Sequence, residues 1–160
     1  MTLDNLLARD RVFVGVRASN KKQLLHLIAG HCARTLHLDP KKVLAGLLER
    51  EALVSTGVGS GVATPHVRLE DIKEVTGLFF RLQTPIDFDA VDDAKVNLVF
   101  VLLTPPGADA EHLKALAQVS RNLRLPQMRK RLLAAPDADA CRVILSTGVD
   151  GTATKRTQQA

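Results

Sequence analysis

Tryptophan and tyrosine are absent from this 160-residue sequence, and phenylalanine occurs only five times. Its core must therefore be built from Leu, Val, Ile and Ala. Without exposed aromatic rings it offers no stacking platform for single-stranded nucleic acid. Cysteine is scarce as well. Cys32 and Cys141 stand apart with no CxxC neighbour, which excludes a disulfide scaffold. Long apolar runs are missing: the longest, Val96 to Leu103 broken by Asn97, is far too short to span a bilayer. Met1 to Asp10 has no cationic stretch leading into an apolar block, so no secretory signal is expected. The expectation is a cytoplasmic protein with no membrane insertion.

What is present suffices for one core. Hydrophobic residues make up 46% of the chain, and its length is that of a single domain. The net charge of +5 permits nucleic acid, anionic lipid or an acidic protein as partner. Charge alone points to nucleic acid, and no nucleic-acid partner is expected. The positive charges are scattered except for Arg121, Arg124, Arg129, Lys130 and Arg131, which read as a solvated helical face, with a docking patch as the alternative.

Periodicity orders the rest. A short helix is expected over Thr2 to Arg9 and a strand over Arg11 to Val16, where branched residues alternate. Ser19 and Asn20 offer an N-cap to a helix whose inner face carries Leu24, Leu25, Leu27, Ile28, Cys32 and Leu36. Cys32 on that face reads as a buried structural thiol. Asp39-Pro40 restarts a helix that runs to about Glu51. Ser55 to Gly61 holds three glycines and must be a loop or tight hairpin; Val62 to Arg68 follows as an extended segment. Strands are expected over Val75 to Leu82 and Val96 to Leu103, the latter apolar on both faces as a covered central strand is. Ala110 to Leu125 is predicted helical, with Leu113, Leu116, Ala117, Ser120, Arg121 and Leu123 tracing a mixed stripe. Gln127 to Ala135 and Asp137 to Leu145 follow as two more helices. Residues 147–160 are polar and expected to be a disordered tail behind a domain spanning 1–146. Too little chain separates the last two strands for a crossover helix. The fold class is therefore α/β: a single domain with a mixed β-sheet flanked by helices on both faces.

The chemistry centres on Glu49 to Arg68. His66 carries an imidazole whose neutral form has a nucleophilic lone pair near neutral pH, held by a stiff backbone after Pro65. The glycine-rich loop before it offers backbone N–H groups suited to an anion, and Ser55, Thr56 and Ser60 could add hydroxyl donors. Arg50 supplies a planar fork for a phosphate. No GKS or GKT follows the loop, so it is not a P-loop, and no G-x-S-x-G elbow marks a hydrolase. His26, His31 and His37 lack the i, i+4 pairing of a helical metal site and read as surface or boundary residues. On their own, these residues specify an anion site and no more.

The combined pattern Arg50-Glu51, Ser55-Thr56-Gly57-Val58-Gly59-Ser60-Gly61 and Val62-Ala63-Thr64-Pro65-His66 resembles the signature of the type-2 IIA domains of the bacterial phosphotransferase system. The likeness continues through Thr84-Pro85-Ile86-Asp87-Phe88-Asp89 and Glu111-His112-Leu113, covering about residues 3 to 146. It implies that His66 is phosphorylated by an HPr-like phosphohistidine protein, with Arg50 beside the phosphate and His112 as a second active-site histidine. It assigns phosphate binding to Arg50 together with Ser55, Thr56 and Ser60. No metal and no organic cofactor is implied. The loop and the Ile86-Asp87-Phe88-Asp89 segment are most similar to the nitrogen-regulatory branch. That branch implies regulated partners such as potassium-transporter or sensor-kinase components, and a homodimer is left open. The alternative is a sugar-specific IIA component that passes phosphate to a IIB cysteine. Two departures stand out: Val67 replaces the glycine that many relatives carry after the histidine, and Thr64 replaces an apolar residue before Pro65.

Overall fold

A computed structural model describes residues 3–147. Helix α1 is a single turn, Leu3–Leu6, followed by a 3-10 turn, Arg9–Arg11, and strand β1, Val12–Val16. The opening helix is shorter than its leucine spacing suggests. The Arg11 guanidinium, itself in the 3-10 turn, closes this corner by donating to Leu6 C=O at 3.1 Å and Gly77 C=O at 3.1 Å.

Helices α2, Lys21–Leu36, and α3, Pro40–Leu53, begin where the capping residues put them. The Asn20 side chain accepts the Gln23 N–H at 2.8 Å, and Asp39 accepts the Lys41 N–H at 2.9 Å with Pro40 as first helical residue. His37 ends α2 in the left-handed conformation. Cys32 is fully buried on α2, and that burial pushes its thiol up to about 12.

The glycine-rich segment is a hairpin: β2, Gly57–Gly59, pairs antiparallel with β3, Val62–Ala63. Ser60 and Gly61 form its turn with φ of 57° and 82°, both positive as a two-residue hairpin turn of this hand requires. Strand β4, His66–Arg68, continues the line of β3 along the same neighbour, interrupted at Thr64-Pro65. Strand β5, Thr76–Ile86, overruns its expected end at Leu82. It does so through an irregular stretch around Pro85 that rejoins the sheet at Ile86 opposite Val96 of β6.

Strand β6, Val96–Thr104, is the axis of a six-stranded mixed sheet ordered β1-β5-β6-β3-β2, with β4 beside β6. From Leu98 to Leu103 its residues divide by parity. Val99, Val101 and Leu103 pack with α2 and α3, whereas Leu98, Phe100 and Leu102 pack with α1, α4 (Asp109–Arg124) and α5 (Pro126–Ala134). The apolar stripe of α4 is Ala115, Val119 and Leu123, not the stripe through Leu113, which is 65% exposed. Its buried phase runs from small Ala115 through Val119 to Leu123, leaving Leu113 outside it.

The basic cluster spans α4 and α5 and is largely solvated, Arg131 included, with only Arg129 half-buried. Arg129 donates to Leu123 C=O at 2.9 Å and to Arg124 C=O, closing the end of α4, while Arg121, Arg124 and Lys130 are exposed. A last helical segment, 138–147 (α6), starts behind Asp137, whose carboxylate accepts the Ala140 N–H at 2.8 Å. Beyond Thr147 the expected tail lies outside the described residues.

Candidate functional site

The interruption at Thr64-Pro65 positions His66. Pro65 has no N–H, but its C=O accepts from Leu102 N–H at 3.0 Å, so the chain stays on β6 while turning into β4. His66 opens β4 half-buried, with Val67 facing the α3 layer and Arg68 exposed. Its Nδ1 lies 3.0 Å from Thr64 C=O, so that nitrogen carries the proton and donates. Its Nε2 is the acceptor for Arg50 Nε–H at 2.9 Å. Arg50 is anchored in turn by donation from its guanidinium to Val54 C=O at 2.7 Å.

His112 approaches from the first turn of α4. Its ring lies 5.1 Å from that of His66, centre to centre, and its Nδ1 is 2.6 Å from the hydroxyl of fully buried Thr104. Both rings border an open cleft of about 490 Å³ lined by Gly46, Glu49, Arg50, Leu53, Val67 and Arg68. Burial lowers the His66 pKa; the Arg50 charge lowers it further, against opposing influences from Thr64 C=O and Glu51. Burial is also the main cause for His112, reinforced by His66 and Arg68 and opposed by Asp109. Both imidazoles are therefore neutral at pH 7, with the His66 Nε2 lone pair turned toward cation and cleft.

Arg50, His66 and His112 converge; the three hydroxyl residues do not join them. Ser55 donates to Phe88 C=O at 2.8 Å and accepts from Gly57 N–H at 3.0 Å. Thr56 is buried and gives both its N–H, at 3.0 Å, and its hydroxyl to the Glu51 carboxylate. Ser60 sits at the hairpin turn, where its N–H donates to Asp92 at 2.9 Å, and it borders a separate cleft with Ser120 and Arg124. The backbone N–H groups of Thr56, Gly57 and Ser60 are thus committed within the scaffold.

Two residues next to the histidines escaped the sequence reading. Thr104 is the polar end of an apolar strand, a signal that could have marked it. Arg68 pairs with Asp109 on α4 across the mouth of the cleft. Among the described residues, no group of three or more His, Cys, Asp and Glu side chains is placed to hold a metal ion. None of the described helices is long and apolar enough to cross a membrane.

Residues 5–147 match the family model described as phosphoenolpyruvate-dependent sugar phosphotransferase system, EIIA 2. The chain belongs to that family. A nitrogen regulatory protein of Bradyrhizobium diazoefficiens is 41% identical over 146 residues, 91% of this chain and 95% of that protein. The crystal structure of nitrogen regulatory protein IIA-Ntr from Neisseria meningitidis superposes with a TM-score of 0.84 at 34% identity, covering 89% of this chain and 98% of that one. A fructose-specific EIIA component of Haloferax volcanii is 36% identical over 112 residues, 70% of this chain and 73% of that protein. The mixed sheet with helices on both faces is thus the architecture of this EIIA family, and a phosphotransferase-system role comes with membership.

Proposed function

We propose that His66 is the phosphoryl acceptor of this EIIA domain, that the phosphoryl group is carried on Nε2, and that its presence regulates partner proteins. The observation that carries this is the polarity of the His66 ring. Nδ1–H is spent on Thr64 C=O, leaving the Nε2 lone pair toward Arg50 and the cleft. A phosphohistidine on an HPr-like carrier is the donor. Its P–N bond breaks as the lone pair of Nε2 forms a new N–P bond, and His66 keeps its Nδ1 proton throughout. Arg50 releases Nε2 and takes up phosphoryl oxygens, supplying the charge-assisted contacts that favour transfer. The Thr104 hydroxyl pairs with His112 Nδ1, and with that hydroxyl as donor His112 Nε2–H is left to donate into the cleft.

The similarity to nitrogen regulatory proteins supports a regulatory output, with potassium-transporter or sensor-kinase components as partners. A phosphoryl group brings roughly two negative charges to a basic protein, enough to change which partner surface is preferred. The fructose-specific relative supports the second reading, transfer onward to a IIB cysteine. Reconstitution with the phosphoenolpyruvate relay, followed by intact-mass spectrometry at alkaline pH, tests the common step. Wild type gains one phosphoryl group and His66→Ala gains none. An unlabelled wild type beside a labelled control protein ends the proposal. Adding a IIB protein then separates the outputs: rapid loss of label to its cysteine selects sugar transfer, and retention selects regulation.

A further inference from the structure

Among the described residues lining the cleft, Arg68 is the cation that the chemistry above leaves unused. It lies two residues after His66 on β4, and side chains two apart on a strand share a face about 7 Å apart. Val67 between them points the other way, into the α3 layer. Arg68 lines the same cleft as Arg50, His66 and His112. Its guanidinium is held by Asp109, which begins α4 and lies three residues before His112, one turn along the same helix face. Two rungs therefore cross between β4 and α4: His66 with His112, and Arg68 with Asp109.

The second rung is weakly held. The Arg68 and Asp109 side chains are 61% and 67% exposed, and an ion pair that open to water contributes little. A phosphoryl group on His66 would present three acceptor oxygens and more negative charge than a carboxylate, one rung away. We infer that Arg68 is a phosphoryl-contacting residue that exchanges partners, from Asp109 when His66 is bare to the phosphoryl group when it is loaded. This rests on His66 being the phosphorylated residue. Asp109 can be left behind because it stays in the first turn of α4, where the helix dipole favours a negative charge, and because Ala108 before it has no side chain to cap the helix. The exchange uncovers a carboxylate beside exposed Glu111. The loaded protein thus differs from the bare one on α4 as well as at the histidine, and α4 is a surface that a basic partner can read.

A double-mutant cycle tests this, with occupancy at fixed phosphoenolpyruvate and hydrolysis half-life of the phosphohistidine as readouts. Arg68→Gln should lower the equilibrium occupancy about tenfold, as loss of a charge-assisted contact does, with Arg68→Lys recovering part of it. Asp109→Asn should raise occupancy about twofold to threefold by releasing Arg68, and this gain should vanish in Arg68→Gln/Asp109→Asn. Arg68→Gln equal to wild type, or an Asp109→Asn gain that persists without Arg68, overturns the exchange while leaving His66 phosphorylation intact. A wild type that takes no phosphoryl group beside an active control overturns the exchange together with the phosphorylation of His66.

Discussion

Gly46 on α3 and Val67 on β4 occupy each other's space: a Cβ at position 46 would overlap Val67 Cγ2 and stand 3.5 Å from Val67 Cβ. The valine that departs from the usual glycine after the histidine is thus seated over a helix residue with no side chain. Gly46→Ala gains about 1 kcal/mol of helix propensity but forces a stiff β-branched side chain to move, an overpacking cost of roughly 1–3 kcal/mol. The net expectation is destabilisation, with β4 displaced and the Arg50–His66 contact disturbed. Val67→Ala alone should cost roughly 1.6 kcal/mol for two buried carbons. The double variant Gly46→Ala/Val67→Ala should be more stable than the sum of the two losses. Urea denaturation of the four proteins measures the coupling; additive losses would sink the packing claim.

Acid should weaken the fold and its chemistry together. His31, His66 and His112 all have pKa values held below the ordinary 6.5, with burial the leading cause in each. His31 is packed against Phe13 and Phe80, with ring centres 4.3 and 5.4 Å away. Below pH 6.5 the unfolded chain takes up these protons more readily than the folded one, so stability is fully present above pH 6.5 and declines as the pH falls from there toward the folded pKa values. Thermal melts between pH 7.5 and 5 should show this decline. Phosphoryl uptake by His66 should be level near neutrality and fall tenfold per unit once its own lowered pKa is passed. Arg50→Gln removes a charge that lowers that pKa, so its acid limb should begin at higher pH; a limb that stays put would show that the Arg50 charge does not act on His66.

Glu51 should matter more for the histidine than its position outside the cleft implies. Its carboxylate, 5% exposed, takes the Thr56 N–H and hydroxyl and the Lys21 ammonium at 2.9 Å. Thr56 C=O then accepts from Thr64 N–H at 2.9 Å, and Thr64 C=O from His66 Nδ1–H. Glu51→Ala should cost about 3 kcal/mol, the low end for breaking a buried pair because Lys21 keeps some solvent. Imidazole ¹⁵N shifts should report a mixture of His66 tautomers in that variant, against one tautomer in wild type. A single unchanged tautomer would show that the chain of hydrogen bonds does not orient the ring.

Much of the fold was legible because short-range chemistry sets it. Asn20 and Asp39-Pro40 announce two helix starts, and the two-sided apolar run at Val96 announces the central strand. Hydroxyl assignments were harder. Ser55 finds Phe88 C=O 33 residues away, and Ser60 serves a hairpin turn; a serine next to glycine reads the same whether it grips an anion or braces a loop. Leu113 misled because the stripe drawn through Leu113, Ala117 and Arg121 lies two residues out of phase with the buried Ala115, Val119 and Leu123. Arg68 became visible only when β4 and α4 were brought side by side, whereas Thr104 could have been marked in the sequence as the polar end of an apolar strand.

The parity of β6 separates two helical layers, and the cleft draws on both. Arg50 belongs to α3, which packs on one face, His112 to α4 on the other, and His66 to the strand that lies between them beside β6. A chain with only one layer docked would align the arginine or the second histidine, never both. Under the proposed function, competence to hold a phosphoryl group is thereby tied to completed folding.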